Sequence, residues 1–181
     1  MRIIVQKFGG TSVASPEVRQ MVLAKVENAR RQGYRPVVVV SAMGRMGDPY
    51  ATDTLLGIAK NSYQHMAARE LDQIMYCGEM ISAVVMSGTL QGAGVDAVML
   101  TGGQAGIITD GSFTNGRILK VDPSRILQLL KMGKTPVVCG FQGVTVEGEL
   151  TTLGRGGSDT TAAALGAALN AEVVEIYTDV D

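Results

Sequence analysis

The chain has 181 residues, 46% of them hydrophobic, enough for one globular domain with a sizeable buried core. Sixteen Lys and Arg against 17 Asp and Glu leave a formal net charge of −1, so a nucleic-acid-binding face is not expected and any positive potential must be local. A single histidine, His65, argues against a zinc site or a serine–histidine relay, while Cys77 and Cys139, far apart and without C-x-x-C spacing, read as reduced, buried thiols.

Residues 2–6 predict a buried strand, with Lys7-Phe8-Gly9-Gly10-Thr11-Ser12 leaving its carboxyl end. Neither a basic leader nor a long apolar run opens the chain, so no signal peptide or membrane span is expected and the protein is placed in the cytoplasm. Ser15-Pro16-Glu17 supplies an N-cap, a proline at the first helical position and an acid in the first turn; Val18, Met21, Val22, Val26 and Ala29 then make one apolar stripe that Gly33 ends. Residues 36–40, Pro-Val-Val-Val-Val, are β-branched without alternation, the pattern of a central parallel strand covered on both faces. Residues 44–54 are turn-rich, 55–60 predict a short helix, and 67–91 a long one with Leu71, Ile74, Met75, Ile81 and Val85 on its buried side.

Further strands are expected at 95–100, 106–109 and 117–121, then a helix capped by Asp122-Pro123 and running to Met132. Residues 136–140 predict another buried strand, 141–149 an exposed hairpin or loop, and 173–177 a last strand; before it, Ser158 or Asp159 caps an alanine-rich helix ending near Asn170. Apolar strands alternating with helices imply an α/β fold, a mainly parallel sheet layered between helices, with ligands at the carboxyl ends of the strands. No repeat, low-complexity tract or linker divides the chain, so residues 1–181 form one domain or part of one.

Two glycine turns carry the chemistry. Lys7 emerging beside Gly9-Gly10 sets an ammonium next to close-approaching backbone amides, an arrangement suited to phosphoryl oxygens; an ordinary surface lysine before a turn is the plain alternative. The pattern is neither G-x-x-x-x-G-K-[ST] nor G-x-G-x-x-G. In Gly154-Arg155-Gly156-Gly157-Ser158-Asp159-Thr160 a planar guanidinium, glycine amides and a helix start favour an anion, and Asp159 could hold a lysine, although a simple N-cap with Arg155 in water explains the same residues. Glu79 could receive a substrate ammonium or be a solvated helix acid; Ser41, Thr52, Asp53 and the Thr178-Asp179 pair are ordinary turn chemistry unless a ligand lies beside them.

With both turns in hand, the chain resembles the aspartokinases of the amino acid kinase family. The resemblance runs end to end, through residues 5–13, 39–44, Thr52-Asp53, Cys77-Gly78-Glu79, Thr101-Gly102-Gly103-Gln104-Ala105-Gly106, Gly140-Phe141-Gln142-Gly143, 153–161 and 177–181. It implies a three-layer αβα sandwich and transfer of the ATP γ-phosphoryl group to the β-carboxylate of L-aspartate, giving 4-phospho-L-aspartate for lysine, threonine, methionine and diaminopimelate synthesis. By matching positions, Lys7 and Asp159 are the catalytic pair, Asp159 organising the lysine and the metal-bound phosphates. Lys7, Phe8, Gly9, Gly10, Ser41, Thr178 and Asp179 meet ATP. Thr52, Glu79, Arg155, Gly156 and Ser158 meet aspartate, with Glu79 at its ammonium and Arg155 at its α-carboxylate. Magnesium arrives with ATP and is held mainly by its phosphates, with no dedicated metal site, and a homodimer is suggested.

Members of that group continue past the position of Asp179 with more of the nucleotide site and then ACT regulatory domains. The expectation is therefore a C-terminally truncated catalytic domain with little kinase activity alone. A kinase of another amino acid in the same family, or a non-catalytic anion-binding or assembly module, are the competing readings.

Overall fold

The computed structural model, which describes residues 1–178, places two β-branched runs side by side at its centre. Strand β1 (Arg2–Phe8) and strand β2 (Tyr34–Val40) pair in parallel, from Arg2 opposite Tyr34 to Phe8 opposite Val40. With β3 (Ala97–Leu100), β6 (Thr135–Cys139) and β9 (Val173–Tyr177) they make a five-stranded sheet in the order β3-β6-β2-β1-β9, parallel throughout.

Successive strand residues point to opposite faces, and the two apolar cores follow that parity. On one face Ile3, Val5, Val37, Val39 and Val138 pack with Ile126 and Leu130 of α4 (Ser124–Lys131) and Ala162 and Leu165 of α5 (Gly157–Ala168). On the other, Phe8, Val38, Val40, Val137 and Cys139 pack with Val22 and Val26 of α1 (Pro16–Arg31) and Ala83, Met86 and Leu90 of α3 (Ala68–Gly92). This is the expected three-layer αβα arrangement. Each fully buried Val or Leu contributes roughly 1.5–3 kcal/mol of apolar burial, set against the entropy of ordering it.

Helix α1 starts as its sequence dictates: Pro16 holds the first position and the Ser15 hydroxyl accepts from the Val18 amide at 3.3 Å. Met21 faces solvent, however, and Leu23 takes the buried place in the stripe. Helix α2 spans Thr52–Ser62, longer at both ends than expected. Helix α4 begins at Ser124, whose amide donates to the Asp122 carboxylate at 3.1 Å, so the acid caps from one residue further out.

The buried face of α3 is rotated from the expected one. Met75 alone of the five expected residues is fully buried, and the inward seam runs through Asp72, Tyr76, Glu79, Ala83, Met86 and Leu90. Two carboxyl groups and a phenol lie on that seam, so ranking positions by hydrophobicity points to the wrong side.

A second sheet accounts for the 141–149 region. Strands β4 (Ile107–Thr109), β5 (Ile118–Val121), β7 (Gln142–Val144) and β8 (Leu150–Thr152) form four strands in the order β5-β4-β7-β8, with a parallel pairing only between β4 and β7. The expected hairpin is present between β7 and β8 with an exposed tip at 146–148, but its base is internal: Gln142, Gly143 and Thr145 are buried. Its amide side chain explains how Gln142 tolerates burial, donating to the Tyr76 carbonyl at 3.0 Å and accepting from the Gly102 amide at 3.1 Å. Of the cysteines, Cys139 is buried but Cys77 is exposed on the outer side of α3, which corrects the expectation that both are internal. Among the described residues no helix is long and apolar enough to cross a membrane.

Candidate active site

Parallel strands bring their carboxyl ends to one edge of the sheet, and there the loops after β1, β2 and β6 meet the start of α5 and the middle of α3. Between them lies a cleft of about 390 Å³ whose walls include Lys7, Gly9, Gly10, Ser41, Thr52, Glu79, Arg155, Gly156, Ser158 and Asp159. Residues 7 and 159, so distant in sequence, meet on its wall.

Lys7 is the penultimate residue of β1, two positions further inside the strand than its sequence suggests. Its parity is that of Ile3 and Val5, toward α5, and its Nζ sits 2.9 Å from Asp159 Oδ1 in the first turn of that helix. Lys7 is only 9% exposed, so its ammonium depends on this partner, while the Asp159 side chain keeps 48% of its surface in the cleft mouth. The amino end of α5 further favours a carboxylate there.

Beyond β1, Gly10 begins a single 3-10 turn (Gly10–Val13) and presses on the loop that follows β2: the Gly44 amide donates to the Gly10 carbonyl at 3.0 Å. A Cβ on Gly10 would fall 2.6 Å from the carbonyl oxygens of Ala42 and Gly44, so only glycine fits. Ser41 is tied to β1 through its amide, which donates to the Phe8 carbonyl at 3.2 Å, and to α5 through its hydroxyl, 3.0 Å from that of Ser158.

Helix α5 is capped differently from expectation. Gly156 takes the N-cap place in the left-handed region at φ 74°, without a side-chain cap, and Ser158 and Asp159 lie inside the first turn. Freed from capping, the serine reaches Ser41 and the aspartate reaches Lys7. Arg155, just outside the helix, is exposed on the cleft wall, with no ion-pair partner among the described residues.

Opposite, Glu79 projects from the buried seam of α3, 2% exposed. Its Oε2 has no hydrogen-bond partner, and burial pushes its pKa up to about 8. Thr52 reaches the same space from the first turn of α2.

Two expected residues lie elsewhere. Strand parity sends the Phe8 ring to the other face of the sheet, stacked on Tyr177 at 4.9 Å and 3°, and Phe8 does not line the cleft. Thr178 lines a separate cavity of about 400 Å³ with Phe8, Tyr177 and Lys25, the lysine ammonium 4.5 Å from the Tyr177 ring. Asp179 lies outside the described residues. Sequence reading missed Arg45, which borders both cavities from the loop clasped by the Asp48 carboxylate, 2.8 Å from the Arg45 amide. A cation between Gly44 and Gly47 was the available signal. Among the described residues no cluster of three or more His, Cys, Asp or Glu could hold a metal ion by itself.

Comparison with known proteins gives a consistent neighbourhood. The family model described as the amino acid kinase family matches residues 2–181. Aspartokinase 1 of Bacillus subtilis (strain 168) is 51% identical over 181 residues, covering all of this chain and 45% of the relative. The crystal structure of aspartate kinase from Synechocystis superposes with a TM-score of 0.80 at 43% identity, over 98% of this chain and 28% of that one. That of E. coli aspartokinase III in complex with aspartate and ADP gives 0.81 at 25% identity, over 99% and 49%. The chain spans less than half the length of these relatives.

Proposed function

This chain belongs to the amino acid kinase family, and from that premise we propose that its cleft serves transfer of the ATP γ-phosphoryl group to the β-carboxylate of L-aspartate, giving 4-phospho-L-aspartate. The observation that carries this reading is the charge layout of one cavity: a buried carboxyl whose Oε2 has no hydrogen-bond partner, a guanidinium with no ion-pair partner among the described residues and a paired ammonium on its walls. Relatives named aspartokinase and a neighbour holding aspartate and ADP support it.

The α-amino acid end of the substrate matches the unpaired groups. Glu79 takes the ammonium, Arg155 grips the α-carboxylate through its planar fork, and Thr52, Ser158 and the Gly156 main chain complete the contacts. The β-carboxylate then points toward Lys7 and the Gly9-Gly10 turn, where the γ-phosphoryl group lies. A β-carboxylate oxygen attacks phosphorus in line, forming the acyl phosphate bond as the bond to the departing ADP oxygen breaks. No protein nucleophile is needed. Both reactants are anions, and the work of the site is to cancel their repulsion and align them, with Lys7 neutralising charge on the transferring oxygens and Asp159 holding Lys7 in place.

The residues present fit a magnesium ion that arrives with the nucleotide: one half-exposed carboxylate, Asp159, borders the phosphate region, as expected where phosphates supply most ligands. When bound, the ion neutralises phosphate charge. Thr178 follows Tyr177, whose carbonyl accepts from the Gly9 amide at 3.2 Å, so a nucleotide reaching past the phosphate turn meets Thr178.

Calorimetric titration tests the reading. L-Aspartate binds and L-glutamate binds at least about tenfold more weakly, since one methylene in a fitted pocket is worth ~1–3 kcal/mol; ADP formation by the enzyme depends on aspartate. Equal binding of both acids, or indifference to aspartate, contradicts it.

A further inference from the structure

Asp72 is completely buried one turn into α3, on the same seam as Glu79, and no reading of the cleft uses it. Among the described residues it has no ion-pair partner. Instead its two oxygens accept from the Thr114 amide at 3.1 and 3.0 Å, from the Thr152 amide at 3.0 Å and from the Thr152 hydroxyl at 2.7 Å. A carboxylate satisfied by backbone donors and a hydroxyl in the interior holds whatever carries them.

What it holds leads to Arg155 by two routes. Thr152 ends β8, and Leu153 and Gly154 alone separate it from Arg155. Thr114 sits at φ 68°, a left-handed conformation uncommon for a β-branched residue, and Asp72 holds its amide. The next residue, Asn115, lies so near Gly154 that a Cβ there would be 2.5 Å from Asn115 Oδ1. The Gly116 amide, bonded to the Thr152 carbonyl at 2.9 Å, locks the loop onto β8.

Resting on the aspartate reading of the cleft, we propose that Asp72 is a positioning residue for the amino acid substrate. It fixes the 152–155 segment, and so the Arg155 guanidinium, at a set place relative to Glu79 on the same helix. Glu79 and Arg155 address two groups on one substrate Cα, so their mutual placement determines which arrangement of ammonium, carboxylate and side chain is accepted.

The test uses Asp72→Asn, nearly isosteric but deprived of one strong acceptor, and the milder Thr152→Val, which removes only the hydroxyl. Affinities for L- and D-aspartate are measured by calorimetry on fully folded protein, and amide exchange is followed by mass spectrometry. Asp72→Asn lowers L-aspartate affinity by about tenfold or more, as expected of a displaced binding group. D-Aspartate changes little, so the L-to-D ratio falls; exchange quickens in 152–157 but not in β2, and Thr152→Val moves both readouts the same way by less. An equal loss for both enantiomers, exchange that quickens throughout, or no change in either readout overturns the proposal. Failure of the unsubstituted chain to bind aspartate sinks the functional reading instead, and the exchange pattern then decides on Asp72: acceleration confined to 152–157 supports it, and none overturns it.

Discussion

At the end of the cleft proposed to take phosphate the protein supplies both signs of charge itself, with Lys7 nearly buried and 2.9 Å from Asp159. At the end proposed to take the amino acid it leaves two groups unanswered: the Glu79 carboxyl, buried without a partner for Oε2, and the Arg155 guanidinium, exposed on the cleft wall. The first end is preorganised, its cation already oriented before any ligand arrives. On the proposed reading the second is completed by its ligand, a zwitterion whose ammonium and carboxylate are both carried on one Cα. On the proposed function, selectivity for the acid resides in the unpaired groups, and rate in the paired ones.

The largest effect that would sharpen this division comes from Lys7→Ala, expected, in a protein that extends through the rest of the nucleotide site, to lower aspartate-dependent ADP formation by roughly 10²–10³, the loss typical of one charge-stabilising donor. Aspartate affinity, measured by calorimetry, stays close to that of the unsubstituted protein; a large fall there would merge the two ends into one. Arg155→Ala should do the reverse, weakening aspartate binding by roughly 10–100-fold, as expected for a charge-assisted bond worth ~1.5–3 kcal/mol. Arg155→Lys should recover only part of this, because a lysine lacks the planar fork.

Glu79→Gln separates the ends by pH. Folding raises the Glu79 pKa from 4.5 to about 8, so the folded state retains a proton that the unfolded chain gives up. Stability relative to Glu79→Gln is therefore greatest below pH 4.5, falls as pH rises through the window to about 8, and is level above it. The slope inside the window is about 1.4 kcal/mol per pH unit. Urea titrations of both proteins at pH 5, 7 and 9 measure the difference; a gap that does not change with pH would mean the carboxyl is not neutral in the empty cleft. The smallest effect belongs to Ser158→Ala, which removes the hydroxyl pair with Ser41 and should cost about 0.5–1.5 kcal/mol in thermal unfolding.

Much of the framework was legible in residues 2–6 and 36–40, because an unbroken β-branched run has few homes other than a covered parallel strand. The glycine turns were legible for a similar reason: close backbone approach beside Lys7 and Arg155 leaves a compositional trace. The second sheet was not, since strands as short as Gln142–Val144 and Leu150–Thr152 are too brief to show a period. The face of α3 was misread because two acids occupy its buried seam: Asp72, held by partners Thr114 and Thr152 that lie far off in sequence, and Glu79, which faces the cleft. Phe8 shows a further limit: a motif names its residues in order, but strand parity decides which side chains enter the cleft.

Proton release on aspartate binding is the most direct measure of the unpaired end. Titrating the protein near pH 7 in two buffers of different ionisation enthalpy should show close to one proton released per aspartate bound, as the substrate ammonium lowers the Glu79 pKa from about 8, and none for Glu79→Gln. Equal heats in both buffers, or the same release from Glu79→Gln, would contradict the account.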